Sequence, residues 1–421
     1  MKIITNNIPQ GYKDSPLGII PEEWEVRKLG DISKITSGST PLRSNVSYYI
    51  NGNIPWVKTK DLNNSILIST EENITEIALK ETSLKILPIG TILVAMYGGF
   101  NQIGRTGLLK IKATINQALA ALLIDKEKAH NFFVLNWLNS KVKLWEKYAA
   151  SSRKDPNITS HDIAIFPILI PPLPEQEKIA EVLSTWDKAI EKQSRLIEKL
   201  ELRKKGLMQQ LLTGKKRLPG FSSKWKTIKL GDISKRIVRR NINEQCTNVV
   251  TISAQKGFIR QTDFFNKKVA SETIENYYLV KRNEFCYNKS YSNGFPMGAI
   301  KRLKEFDQAV VTTLYICFAV QEERISVDFI EQYFSLGLLN RGLMKIANEG
   351  GRAHGLLNVT PNDFFNINLN LPPIDEQKAI SSILFNAYNE VVLAKNKIKS
   401  LQEQKKGLMQ VLLTGKKRII Q

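Results

Sequence analysis

Cysteine, histidine and acid are what this chain is short of. Its 421 residues hold three cysteines and three histidines. Cys246, Cys286 and Cys317 are odd in number, widely spaced and confined to the second half, which excludes a disulfide framework and a Cys-x-x-Cys knuckle. They read as buried small hydrophobes. His130, His161 and His354 have no histidine or cysteine at ligand spacing, so no metal site is expected. Long apolar runs are missing as well. The longest uncharged stretch, Ile86 to Gly104, contains Pro88, several glycines, Asn101 and Gln102, and Met1 to Gln10 lacks a basic end followed by an apolar core. The expectation is a cytoplasmic protein away from membranes. The acid deficit is the largest: 40 Asp and Glu stand against 61 Lys and Arg, a net charge of +21. An excess of that size favours a polyanionic partner, and with membranes set aside that means nucleic acid.

Catalytic signatures are also absent. Gly99 to Thr106 approaches a phosphate-cradling loop, but Arg105 stands where lysine is required and the following Gly107 to Lys112 reads as a strand instead of a helix. Glu175-Gln-Glu177-Lys178 holds the Glu-x-Lys half of a nuclease motif without a placed aspartate. No methyl-donor loop and no adenine-methylation signature is recognisable. The chain reads as non-catalytic, with no cofactor of its own.

What is present is a repeat. Trp24 to Lys34 (WEVRKLGDISK) returns as Trp225 to Lys235 (WKTIKLGDISK), an offset of 201. The same offset carries Asn157, Thr159 and Asp162 onto Asn358, Thr360 and Asp363, and Pro171 to Gln176 onto Pro372 to Gln377. It also carries Lys204 to Arg217 onto Lys405 to Arg418 with 13 of 14 positions identical. Between these blocks, Ile35 to Ser152 and Ile237 to Arg352 share length but little sequence. Two different heads sit on a duplicated scaffold.

The scaffold segments have the rhythm of long helices. Ile179, Leu183, Trp186, Ile190, Gln193, Ile197, Leu200, Lys204, Leu207 and Leu211 step by four and three, as do Ile380, Leu384, Ala387, Val391, Ala394, Ile398, Leu401, Lys405, Leu408 and Leu412. First-turn acids and a closing Gly214 or Gly415 bound helices of ~38 residues, over Glu175 to Leu212 and Glu376 to Leu413. Each apolar seam needs a partner: the nearest is the other copy, running antiparallel, and the alternative is another protein for each helix.

The heads are mixed in texture. Gly90 to Met96, Val310 to Val320 and Ile163 to Ile170 read as extended, and Asn131 to Tyr148 as helical. The class is therefore α+β: two globular mixed-sheet units separated by two antiparallel helices forming a coiled coil, related by a pseudo-twofold internal repeat. Expected boundaries are 1–170 and 221–370 for the heads, with 171–220 and 371–421 for the helical spacers. Polar loops with the side chains that phosphates and base edges require supply the candidate contacts. In the first head these are Ser39, Thr40, Lys58, Thr59, Lys60, Asn101, Gln102, Arg105, Arg153 and Lys154. In the second they are Ser253, Gln255, Lys256, Asn288, Lys289, Ser290, Tyr291, Arg352 and His354.

The paired Leu-Gly-Asp-Ile motifs at Leu29 and Leu230, the runs Pro171-Pro-Leu-Pro-Glu-Gln176 and Pro372-Pro-Ile-Asp-Glu-Gln377, and the twin Gly-Leu-Met-Gln…Leu-Leu-Thr-Gly ends resemble those of type I restriction-modification specificity subunits. The resemblance covers nearly the whole chain. It implies two target recognition domains, each reading one half of a bipartite DNA site, with the helices as a ruler for the gap. It further implies that the helices dock two adenine-N6 methyltransferase subunits and that a translocating nuclease subunit joins them. S-adenosylmethionine, ATP and magnesium would then belong to those partners. Two rivals remain: a two-headed protein-binding adaptor, and an enzyme with an unrecognised site.

Overall fold

A computed structural model describes residues 8–99, 101–149, 157–265, 273–347 and 357–419. The chain divides into two compact units: unit 1 comprises Met1–Arg195 and Asn396–Gln421, unit 2 Leu196–Lys395. Each unit is thus a head plus a half of each long helix.

After a short hairpin of Tyr12–Lys13 and Ile20–Pro21, unit 1 continues with β1 (Glu25–Lys28), β2 (Ser33–Ser37), β3 (Ile54–Val57), β4 (Ser65–Leu67), β5 (Glu72–Ile74), β6 (Ile92–Ala95), β7 (Thr106–Leu109), β8 (Thr114–Ile115), β9 (Leu119–Ile124) and β10 (Pro167–Ile170). A five-stranded sheet has the order β2-β9-β6-β7-β4, and a smaller one β8-β3-β5. β6 is buried throughout because both its faces are covered. Ile92 and Val94 pack into a core with the helix Asn131–Ser140, while Leu93 and Ala95 face Val57 and Ile115 of the small sheet.

Unit 2 has a related plan with smaller sheets, built from β11 (Lys226–Lys229), β12 (Ser234–Ile237), β13 (Val250–Ser253), β14 (Gly257–Arg260), β15 (Tyr278–Lys281), β16 (Phe285–Asn288), β17 (Ala299–Arg302), β18 (Gln308–Val311), β19 (Ile316–Val320) and β20 (Asn368–Leu371). Its sheet runs β12-β19-β16-β17. Phe285, Tyr287 and Phe318 enter an aromatic core with the helix Val327–Ser335, and Cys286 and Cys317 point to the other face. All three cysteines are buried free thiols.

The repeated motifs build one joint in each unit. Leu29 and Ile32 are buried, and Gly30 leaves room for the Ala164 carbonyl, which a Cβ would meet at 3.2 Å. The Lys28 amide donates to Asp31 Oδ2 at 2.9 Å, closing the short helix Leu29–Ile32. In unit 2 Gly231 abuts the Phe365 carbonyl at 3.2 Å and the Lys229 amide reaches Asp232 at 3.3 Å. Thr159 and Asp162 cap one another's backbone at the start of Ser160–Ile165, and the Asp363 amide donates to Thr360 Oγ1 in the second copy. These caps pair β1 with β10 and β11 with β20.

Two extended readings need correction. Ile163 to Ile170 is half helix, because the Thr159 cap commits 160–165 before Pro167 opens β10. Val310 to Val320 is two strands, broken where the Tyr315 amide turns back onto the Thr312 carbonyl.

The long helices are Leu173–Leu211 and Ile374–Leu412, 39 residues each. They start two residues before the expected position because the Pro172 and Pro373 carbonyls accept the first-turn amides. All the seam side chains, from Ile179 to Leu211 and from Ile380 to Leu412, are buried or half-buried. The pairing is antiparallel in each unit. In unit 1, moving from Glu175 to Asp187 on one helix moves from Arg418, just beyond the end of the other, back to Lys405 within it, with contacts of 2.7 and 2.6 Å. In unit 2, Glu201 pairs with Lys395 at 2.6 Å, Arg203 with Glu390, and Lys204 lies over the Tyr388 ring. The two seam lysines are thus satisfied at equivalent points, one by Asp187 and one by Tyr388.

The helix ends lock onto the joints. Glu175, 6% exposed, accepts from Trp24 Nε1 at 3.0 Å and from Arg418 at 2.7 and 2.9 Å. Glu376, fully buried, accepts from Trp225 Nε1 at 3.2 Å and from Arg217 twice at 2.7 Å. These bidentate bonds raise both arginines' pKa above the ordinary value. The Pro-Pro-x-x-Glu-Gln runs are therefore packed joints. Gln176 completes one by bonding the Pro171 carbonyl at 2.8 Å and the His130 amide at 2.9 Å, and Gln377 does the same with Pro372 and Ser326.

Candidate nucleic-acid interface

Strand register decides which loops meet. In unit 1, Ser37 lies opposite Ala120, Leu119 opposite Ala95, and Val94 opposite Thr106. The loops leaving β2 and β6 and entering β7 and β9 therefore open at one end of the sheet. β3 runs parallel to β8, Val57 opposite Ile115, and the Asn116 amide donates to the Val57 carbonyl at 3.1 Å, which brings Lys58–Lys60 to the same end. Ser39, Thr40, Lys58, Thr59, Lys60, Asn101, Gln102 and Arg105 thus gather there, although they span 67 positions of sequence. The Ile158 amide bonds the Met96 carbonyl at 3.0 Å, returning the chain to this end, while Arg153 and Lys154 lie outside the described residues.

These side chains are not equally free. Lys58 Nζ sits 2.5 Å from Glu72 and 3.5 Å from Glu71. Burial works against its charge, the two carboxylates outweigh burial, and its pKa lies above the usual lysine value. Its backbone amide donates to Asp61 Oδ2 at 2.7 Å. Thr40 Oγ1 donates to Gln117 Oε1. Lys60 and Asn101 are exposed.

Unit 2 gathers its loops by the same rule. Ile237 lies opposite Cys317, Tyr287 opposite Ile316, and Asn288 opposite Ala299. Asn288 Nδ2 donates to the Ile252 carbonyl at 3.1 Å, drawing in Ser253, Gln255 and Lys256, and its Oδ1 accepts from the Ser290 amide at 3.0 Å. Lys289, Ser290 and Tyr291 follow directly. Burial holds the Lys289 amine below the usual lysine value. The Leu357 amide bonds the Lys289 carbonyl at 3.1 Å; Arg352 and His354 lie outside the described residues.

The same ends hold polar residues that the sequence reading passed over: Asn116 and Gln117 in unit 1, Tyr315 in unit 2. Asn116 Oδ1 is buried without a hydrogen-bond partner, and Tyr315 OH lies 3.2 Å from Thr251 Oγ1. An Asn-Gln pair between two apolar runs is a turn signal. Tyr315 was hidden inside an apolar run that looked continuous.

Residues 21–202 match the family described as "Type I restriction modification DNA specificity domain". The Type I restriction enzyme MjaIX specificity subunit of Methanocaldococcus jannaschii is 34% identical over 197 residues, 45% of either chain. The MjaVIII specificity subunit of the same organism is 24% identical over 95% of this chain and 94% of its own. The chain is thus similar to type I specificity subunits, through the domain matched at residues 21–202 and, at lower identity, over nearly its whole length. It also shares a fold with the crystal structure of the type I restriction-modification S subunit from M. genitalium, at TM-score 0.56 and 17% identity over 98% of both chains. The MjaIX match spans under half of that relative's length.

Proposed function

We propose that this specificity-subunit homologue is the non-catalytic DNA-reading subunit of a type I restriction-modification complex. Residues 1–170 and 221–370 are its two target recognition domains, each reading one half of an asymmetric bipartite site in double-stranded DNA. Residues 171–220 and 371–421 pair as an antiparallel coiled coil that sets the unread gap and docks two adenine-N6 methyltransferase subunits. Restriction and translocation subunits complete the assembly in the cytoplasm. S-adenosylmethionine, ATP and magnesium bind those partners.

One observation carries the reading. In each unit, loops from distant positions bring their polar and basic side chains to one end of a packed sheet, on a chain of net charge +21. Such an array offers cations to phosphates and hydrogen-bonding groups to base edges. Lys60, Asn101, Gln102, Arg105, Gln255, Lys256 and Lys289 act as contacts. Lys58, tied to Glu72, positions its loop.

The test is a genome-wide map of N6-methyladenine in the source cell with this gene intact and disrupted. Loss of one bipartite motif is the expected result. An unchanged map with the methyltransferase partner expressed overturns the proposal.

A further inference from the structure

We infer that unit 2 recognises thymine by its C5-methyl group, through Val238, Tyr291 and Leu314. The inference rests on the DNA-reading function proposed above and deepens it by naming a base.

These side chains are 54, 62 and 58% exposed. Val238 follows β12, Leu314 precedes β19 and Tyr291 follows β16. The strand order β12-β19-β16, with Ile237 opposite Cys317 and Tyr287 opposite Ile316, makes their loops neighbours. Single exposed hydrophobics are ordinary. Three on loops that adjoin one end of the sheet, with exposed Gln255, Lys256 and Thr313 and half-buried Lys289 on these and the neighbouring β13–β14 loop, offer apolar groups for a partner to cover. The loops are also anchored from within, since Tyr315 OH accepts from the Ile252 amide and Asn288 Nδ2 holds the Ile252 carbonyl. The loops that carry Leu314 and Tyr291 are therefore held in place.

The polar side chains of these loops select the partner. Lysines and amides suit a polyanion with hydrogen-bonding edges, and DNA presents one apolar group on its major-groove edges, the thymine methyl. A leucine, a valine and an aromatic ring are suited to cover it.

The experiment uses the full chain. Bound duplexes are selected from a random pool with the wild type and with a Val238→Ser, Leu314→Ser variant whose melting midpoint matches the wild type. The half-site at which the two selections differ belongs to unit 2 and is expected to contain a T·A pair. Deoxyuridine is then placed for thymine in one half-site at a time. In the unit 2 half-site each lost methyl should weaken wild-type binding by about three- to fivefold. The double variant should be indifferent to the same change. A unit 2 half-site without thymine, identical selections, wild-type binding indifferent to uracil, or equal losses in wild type and variant overturn the inference. A wild type that selects no sequence at all overturns the DNA-reading proposal itself, a distinguishable result.

Discussion

His130 and Ser326 occupy matching corners of the two units and meet the same demand differently. Each begins a helix beside a long-helix start, and each gives its amide to a glutamine, Gln176 or Gln377. Ser326 also caps its helix through Oγ, whereas His130 makes no cap bond and its Nδ1 is buried without a partner. Burial pushes the His130 pKa down, against an opposing pull from Glu177. The unfolded chain therefore takes up a proton more readily, so stability is complete above the ordinary histidine value and is lost as pH falls through it. Substituting His130→Ser should raise the unfolding midpoint by installing a cap worth about 1 kcal/mol. It should also flatten the decline between about pH 7.5 and about pH 5.5, read by thermal melts across that range. Arg418→Ala should cost about 2 kcal/mol by denaturant titration, less than for a fully buried pair because the arginine is partly exposed. The pattern of these residues was legible in the repeat, but not their work. Trp24, Glu175 and Arg418 meet across 151 and 243 positions, and nothing in local spacing reports such a contact.

At the scale of elements, the long helices were the most legible part, since a seam repeated twice leaves little choice of period. Short apolar runs were the least legible. A buried strand and a capped helical turn look alike until Thr159 or Tyr315 is seen to act on the backbone. The candidate surface was half legible, because turn chemistry marks the loops while the register that collects them is a long-range property. If the helices set the gap, adding seven residues after Arg195 and seven after Asn396 preserves the phase of both seams. It lengthens the pair by about 10 Å, close to three base-pair steps. The expected outcome in a selection of bound sequences is a gap longer by about three base pairs with both half-sites unchanged. Altered half-sites would count against a passive spacer.

At the scale of the molecule, the excess of 21 positive charges makes affinity a function of salt. Binding measured by titration from low to moderate ionic strength should fall with a log–log slope of about −0.9 for each phosphate neutralised. A protein-binding adaptor would show little slope and no preferred duplex. The closed joint of unit 1 also bears on how the chain reaches its native state. Leu412, Leu413 and Arg418 complete the core and anchor of the head that is made first. Unit 2 lies wholly within residues 196–395 and has all its parts once those have left the ribosome. The head made first is therefore finished after the second, once residue 418 has been translated. Cutting the chain after Val411 should injure the first head, far away in sequence, and spare the second, next to the cut.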